Sequence, residues 1–262
     1  MISEPNNQKP SGKPKAVEIR GLCKTFYSDL GSTVRALEDI DLTVHCGEFL
    51  TVVGATGCGK TTLLNLIAGL DTPEKGFIRL SDNLKFGKNI AYVFQHYTLF
   101  PWRTVMSNVS FAMEMRGVSR RERRQRTLEL LSKVGLAGFE KAYAHELSGG
   151  MRQRVAIAQA LTIEPKLLLM DEPFGAVDDS TRTDLQQMLT DLWQENQTTV
   201  IFVTHNIDEA IVLGTRVLVL SERPGRIAFE FKIDLPRPRD RISSEFTKLF
   251  IQIRTALSGQ LD

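Results

Sequence analysis

The segment Gly54-Ala55-Thr56-Gly57-Cys58-Gly59-Lys60-Thr61 has the residue types of an anion cradle. It matches the spacing G-x-x-x-x-G-K-[ST] in full. Its glycines let backbone N–H groups curl around phosphate oxygens without Cβ clashes. A helix opening at Lys60 aims its positive end at the same anion. Lys60 is a point charge for the β- and γ-phosphates of a nucleoside triphosphate, and the Thr61 hydroxyl is a ligand for Mg2+. A turn that merely joined strand to helix would have no use for the Lys-Thr pair.

A second charged element ends the apolar run Leu167-Leu168-Leu169-Met170 with Asp171-Glu172. Two carboxylates closing a buried strand are costly unless something cationic meets them. A magnesium–nucleotide complex would do so, with Asp171 on the metal side and Glu172 set to polarise a water that attacks the γ-phosphate. A solvated acidic turn is the plainer reading of that pair alone. The two elements together describe phosphoryl transfer, without separating kinases, GTPases, helicases and transport ATPases.

The surrounding pattern supplies the elements these residues need. Phe49 to Val53 is a continuous apolar run ending at the glycine-rich turn, as in a fully buried strand. Lys60 to Ala68 has helical spacing, with Leu63, Leu64 and Ile67 on one face and Gly69 as its stop. Val17 and Ile19 alternate with polar neighbours, as do Ile40, Leu42 and Val44, which predicts an antiparallel patch. From about His96 to Leu161 no strand is evident. Ser119 and Glu122 give a capping-box signal, and Leu128, Leu131 and Val134 recur at helical spacing, so this stretch is expected to be a helical insertion. Strands return at Lys166–Met170, Thr198–Thr204 and Arg216–Leu220, with an amphipathic helix through Leu185, Met188, Leu189, Leu192 and Trp193. The tail holds Leu235-Pro236-Arg237-Pro238-Arg239, which excludes a regular helix or central strand, and then a short helix at about Ser244–Leu257. The expected organisation is a disordered leader at 1–15, an ATP-binding core at 16–95 and 162–225, a helical subdomain at 96–161 and a C-terminal extension at 226–262.

Lys+Arg number 33 against 31 Asp+Glu in 262 residues, a balance that argues against a dedicated nucleic-acid binder. The longest apolar stretches are a few residues, far below the roughly 20 that span a bilayer. The polar start, Met1 to Lys15, lacks the apolar core of a signal peptide, so a cytoplasmic location is expected. Cys23, Cys46 and Cys58 show no metal or redox spacing and are expected to be reduced thiols.

Leu147-Ser148-Gly149-Gly150-Met151-Arg152-Gln153-Arg154 resembles the signature motif of ATP-binding-cassette proteins. Other motifs of the cassette stand in the same order: Gln95 in Val93-Phe94-Gln95 resembles the Q-loop, Phe174-Gly175-Ala176-Val177-Asp178 the D-loop, and His205 in Val203-Thr204-His205-Asn206 the switch histidine. The resemblance runs from about Val17 to Leu220. It implies an α/β fold: a P-loop NTPase core of the RecA-like kind, an N-terminal antiparallel β patch and an inserted helical subdomain. It implies an ATPase using ATP and Mg2+, coupled to transport. Nucleotide contacts would run through Gly54 to Thr61 (Ala55, Thr56, Gly57, Cys58, Gly59 and Lys60 included) and Thr62, with Phe26 stacked on adenine. Ser148, Gly149 and Gly150 would bind the γ-phosphate of ATP held by another copy, in a head-to-tail homodimer, with Asp178 communicating across the interface. Glu172 would be the base and His205 would hold the γ-phosphate. Lys60 and the Mg2+ ligands Thr61, Gln95 and Asp171 would complete the site, Gln95 also sensing the attacking water and linking to the membrane partner.

Further partners implied are a transmembrane permease, indirectly a solute-binding protein, and no nucleic acid, with the chain peripheral on the cytoplasmic membrane face. The signature, Phe100-Pro101-Trp102 and the Leu235–Arg241 tail together resemble ATPases of the nitrate/sulfonate/taurine importer family. Met151, Val177 and Thr56 depart from the commoner Gln, Leu and Ser. One alternative is a soluble cassette acting on DNA or ribosomes, but such proteins carry a second cassette or a coiled coil. Another is a P-loop kinase or GTPase, which the signature opposes.

Several residues keep plainer readings beside these. Phe26 is open between adenine stacking and core packing. His45, His96 and His145 are expected in loops or on the surface. Cys58, if exposed, would make ATP binding sensitive to thiol reagents. Arg116, Arg120, Arg121, Arg123, Arg124 and Arg126 form either a solvated face or a contact for anionic headgroups. Tyr97, Leu99, Phe100, Pro101 and Trp102 are either a core cluster or, as the resemblance implies and as is preferred here, a partly exposed groove for a helix of the membrane subunit.

Overall fold

The protein is described by a computed structural model covering residues 13–27, 33–85, 88–95, 98–175 and 177–259. His96, Tyr97, Ala176 and the leader up to residue 12 lie outside the described residues. The alternation around Val17 and Ile40 folds as expected. Strands β1 (Lys15–Tyr27) and β2 (Thr33–His45) pair antiparallel, and β4 (Lys75–Leu80) joins the other edge of β1.

The second sheet has the order β5-β6-β7-β3-β8-β9, built from β3 (Phe49–Val53), β5 (Ile90–Val93), β6 (Leu167–Asp171), β7 (Thr199–Thr204), β8 (Arg216–Leu220) and β9 (Ile227–Lys232). The pairs from β5 through β8 are parallel. Every residue of β3, β6 and β7 is buried, which requires cover on both faces and explains why these strands read as continuous apolar runs. Successive residues of β6 serve opposite cores. Leu168 and Met170 pack with the helical subdomain, and Leu167 and Leu169 pack with α1 (Lys60–Ile67) and the antiparallel patch. The strand β9 lies in the stretch assigned above to the extension. Its half-buried alternation marks an edge strand, antiparallel to β8, so the core sheet runs past 225.

Among the described residues between β5 and β6 there are only helices: α2 (Val105–Met115), α3 (Arg120–Lys133), a 3-10 turn at Ala144–Glu146, and α4 (Gly149–Leu161). Ser119 caps α3, its hydroxyl accepting from the Glu122 amide at 3.3 Å. The Glu122 carboxylate turns instead to Arg126, so the predicted capping box is half realised. The arginine cluster also finds acids outside its own stretch. Arg123 faces Glu114 and Arg126 faces Glu164, while Arg116 donates to the Lys88 carbonyl. After β6 come α5 (Asp179–Asn196), α6 (Ile207–Leu213) and, beyond the proline-rich stretch, α7 (Ser244–Leu257).

Phe202 on β7 is fully buried between Phe49 and Phe174, with ring centroids 6.1 Å and 5.5 Å away. Phe202→Ala is expected to cost about 3–5 kcal/mol of stability, the range for a large ring deleted from a packed core. Denaturant unfolding checks this. A loss below about 1 kcal/mol would mean that the site collapses around the gap rather than keeping a cavity.

Candidate nucleotide site

The loop from Gly54 to Gly59 joins β3 to α1 at one end of the parallel sheet. Gly59 holds φ +107, and a Cβ there would meet the Ala36 carbonyl at 2.7 Å, so only glycine fits. Lys60 is buried. Its ammonium bends over its own loop, donating to the carbonyls of Gly54 at 2.9 Å and Ala55 at 3.0 Å. It stands 3.7 Å from a Glu172 carboxylate oxygen. The Thr61 hydroxyl donates to Asp171 Oδ1 at 3.1 Å. Cys58 is buried, and burial pushes its thiol up from its ordinary range. The expectation that depended on an exposed Cys58 therefore fails: its thiolate is disfavoured and its sulfur is shielded.

The carboxylate pair is delivered as the sequence suggested. Asp171 is the last residue of β6 and is buried; desolvation raises its pKa above the ordinary carboxylate value against the opposing pull of Thr61 and Lys60. Glu172 follows at φ +43, a left-handed conformation that a non-glycine residue adopts at a cost. Its amide is tied to the Val203 carbonyl at 2.9 Å, and its Oε2 meets His205 Nδ1 at 2.8 Å. Lys60 and Thr61 at the start of α1 thus form one contiguous constellation with Asp171, Glu172 and His205 at the ends of β6 and β7.

The remaining candidates are arranged differently. Phe26, the last residue but one of β1, is 44% exposed, with the Lys24 ammonium 5.1 Å above its ring. That exposure leaves a ring face available and removes the core reading. Gln95 is exposed just beyond β5. Ser148 caps α4, its hydroxyl accepting from the Met151 amide at 3.3 Å. Gly150 packs so closely on α5 that a Cβ would lie 2.4 Å from Thr181 Cγ2. Asp178 caps α5 and accepts from the Thr181 amide at 3.0 Å and the Ser180 hydroxyl at 2.8 Å, which hold its carboxyl down at about 2. Among the described residues, no hydrogen bond or ion pair joins Gln95, Ser148, Gly149, Gly150 or Asp178 to the Lys60–Glu172 constellation within this chain.

Two contacts had no signal in the sequence. Arg223, in the turn after β8, donates to the Gly57 carbonyl at 2.9 Å and 3.1 Å, because β8 lies beside β3 in the sheet. The Thr204 hydroxyl donates to the buried Glu209 at 2.6 Å, bracing the backbone on either side of His205.

A glycine loop between a buried parallel strand and a helix, faced by an Asp-Glu pair from a nearby strand, defines a P-loop nucleoside triphosphatase. The family profile described as ABC transporter matches residues 37–175. The chain is 45% identical to the nitrate import ATP-binding protein NrtD of Synechocystis sp., over 93% of this chain and 96% of that protein. It is 43% identical to the aliphatic sulfonates import ATP-binding protein SsuB of Bacillus cereus, over 89% and 92% respectively. A dimeric bacterial ABC transporter cassette, solved also in a post-hydrolysis state bound to ADP and Pi, superposes with a TM-score of 0.75 at 33% identity, covering 84% of this chain and 100% of that one. The chain belongs to the ABC transporter family, as an ATPase that couples ATP hydrolysis to transport. Among the described residues, no helix is long and apolar enough to cross a membrane.

The raised Asp171 carboxyl gives a stability prediction with a definite sign. A carboxyl whose folded pKa lies above its unfolded value adds stability below the unfolded pKa, near 3.8, and loses that contribution as pH rises through the folded value. The charged form of Asp171 is therefore the destabilising one in the chain without nucleotide or metal. Asp171→Asn is expected to raise the thermal midpoint of the nucleotide-free chain at pH 7 in a chelator. Differential scanning calorimetry of both proteins checks this, and an unchanged or lower midpoint would count against it.

Proposed function

We propose that this chain is the ATP-hydrolysing subunit of an importer for a small anionic or zwitterionic solute such as nitrate, an alkyl sulfonate or taurine. It works as a head-to-tail homodimer on a separate permease at the cytoplasmic membrane face. The observation that carries the reading is the split of the machinery: Lys60, Asp171, Glu172 and His205 converge, while the signature residues at the start of α4 make no bond to them within one chain. The names of the relatives support the solute class, and the dimeric cassette supports the pairing.

In this reading Lys60 and the loop amides orient the phosphates. Glu172 takes the proton of the attacking water, and His205, braced on Glu172, donates to the γ-phosphate. Amides at the start of the partner's α4 cover the same phosphate from the other side. The site fits Mg2+ in kind. Thr61 and Asp171 offer two hard oxygens, and burial holds the carboxyl above its ordinary pKa. Among the described residues no cluster of three or more His, Cys, Asp or Glu could hold a metal, so phosphate and water oxygens would complete the shell. When bound, Mg2+ would neutralise charge developing on the phosphates.

Glu172→Gln tests the base. Because an amide cannot accept the proton, hydrolysis is expected to fall on the order of 10²-fold or more with MgATP binding kept. Near-parental turnover would remove Glu172 from the role. Mixing Lys60→Ala with Ser148→Arg protein tests the shared site, since each heterodimer holds one composite site with neither lesion. Partial recovery of ATPase is expected, and an inert mixture of folded, pairing variants would count against it.

The aromatic group beyond Gln95 bears on the permease. Trp102 is 72% exposed, its ring 5.6 Å from Phe100, which rests on Phe111. Such a ring matches an interface anchor better than a core residue. Trp102→Ala is expected to change the stability of the isolated chain by no more than about 0.5 kcal/mol. Affinity for the transmembrane subunit should fall by about 2 kcal/mol or more. Thermal unfolding beside a quantitative pull-down separates docking from packing.

A further inference from the structure

The Arg237–Arg241 segment takes no part in the chemistry above, yet its guanidinium groups grip one short helix. The helix α6 ends at Gly214 in extended backbone, with φ −71 and ψ 146, rather than in the left-handed turn that commonly satisfies the last carbonyls. Those carbonyls need other donors. The Ala210 carbonyl accepts from the Gly214 amide at 2.9 Å and from Thr51 at 3.2 Å. Arg237 donates to Val212 at 2.8 Å and also to Leu213. Arg239 donates to Ile211, Val212 and Gly214. The Arg237 guanidinium also lies 5.1 Å from the Trp193 ring centroid.

Among the described residues neither arginine has a carboxylate partner. Burial lowers Arg237 to about 10 and, with the charge of Arg237 added, Arg239 to about 9, so both remain cationic at neutral pH. Cations there complement the negative end of the helix. Two desolvated charges are a costly way to end a helix unless the position of that helix matters.

The same segment holds the other end. Arg241 Nε stands 3.0 Å from Asp208 Oδ2, in the first turn of α6, and its Nη2 donates to Gln186 on α5 at 2.5 Å. Asn206 caps that turn, accepting from the amides of Asp208 at 2.9 Å and Glu209 at 3.4 Å. The residue before the cap is His205. Its imidazole is exposed, and the hydrogen bond that orients it is the one to Glu172. The backbone that leads into α6 carries this imidazole to within reach of Glu172.

We propose that the Arg237–Arg241 segment is a strap that fixes α6 at both ends and so sets His205 against Glu172. Arg239 and Arg241 are positioning residues for ATP hydrolysis, an inference that rests on the role given to His205 above. A displacement of about 1 Å in a reacting geometry lowers rates by up to about 10²-fold, so a small rotation of α6 is enough to matter.

The test uses the full chain and reads kcat and KM for MgATP beside thermal unfolding. Arg241→Ala is expected to lower kcat on the order of tenfold while KM stays within about twofold of the parent. Arg239→Ala should act in the same direction, with unfolding showing whether it stays folded. Arg241→Lys keeps the charge against Asp208 but not the fork to Gln186, and should recover part of the loss. If the strap acts through His205, adding Arg241→Ala to His205→Ala gives no further loss, because the ring it positions is gone. Losses that multiply in the double variant overturn the proposal. So does a parental kcat in folded Arg241→Ala when His205→Ala is slow. A parental kcat in His205→Ala would overturn the reading of the site and the strap with it, so the two failures are distinguishable.

Discussion

A carboxylate at the end of a fully buried strand must be answered by positive charge, and Asp171 makes that demand at the centre of this molecule. It pairs with β7, burial raises its carboxyl, and the Thr61 hydroxyl and the Lys60 ammonium pull the other way. The rest of the site is arranged around that demand. The glycine loop must approach closely enough to bring Lys60 over the strand ends. Glu172 must take a strained backbone conformation so that the second carboxylate turns toward His205 instead of a second buried position. Positive charge brought in with the nucleotide's phosphates, as proposed above for Mg2+, would meet that demand.

Helix ends are the second working principle. Ser148, Asp178 and Asn206 each cap a helix with a side-chain oxygen, and each belongs to or adjoins a functional motif. A cap fixes where the first-turn amides point. The same geometry that stabilises α4 also presents donors to an anion, and the cap on α5 lies in the segment that would face a partner chain. At the opposite pole of α6 the logic reverses: carbonyls converge, and guanidinium groups from the tail meet them. Tail, α6 and His205 form a continuous set of contacts, which connects the C-terminal segment to the nucleotide site without a direct bond to it.

Much of this was legible along the chain because it is local. The phosphate loop is defined by contiguous residues, and its strand and helix are announced by an apolar run and a helical period on either side. Continuous apolar runs at β3, β6 and β7 stated that both faces are covered, and hence a parallel sheet. Clustered motifs in a fixed order carried the family. Caps at Ser119 and the helix at Ser244–Leu257 were visible for the same reason, since capping and amphipathicity depend on residues a few positions apart. The weak edge strand β9 escaped notice because an edge buries only one side of a short alternation.

Only the tertiary structure decided the relations between distant segments. Sheet order brings Arg223 to the Gly57 carbonyl, and nothing in a Ser-Glu-Arg-Pro-Gly turn reveals that neighbour. Burial, not residue type, decided that Cys58 is shielded, that Trp102 is open and that Phe26 keeps a free face. The Leu235–Arg241 segment read as an irregular stretch, because prolines exclude helix and central strand without saying what the arginines touch. Their partners are backbone carbonyls of α6, which carry no side-chain signature. Sequence determined the chemistry available and the elements that present it, since both depend on local residue types. Which chemistry meets which depends on packing across long separations, and packing exists only in the folded chain.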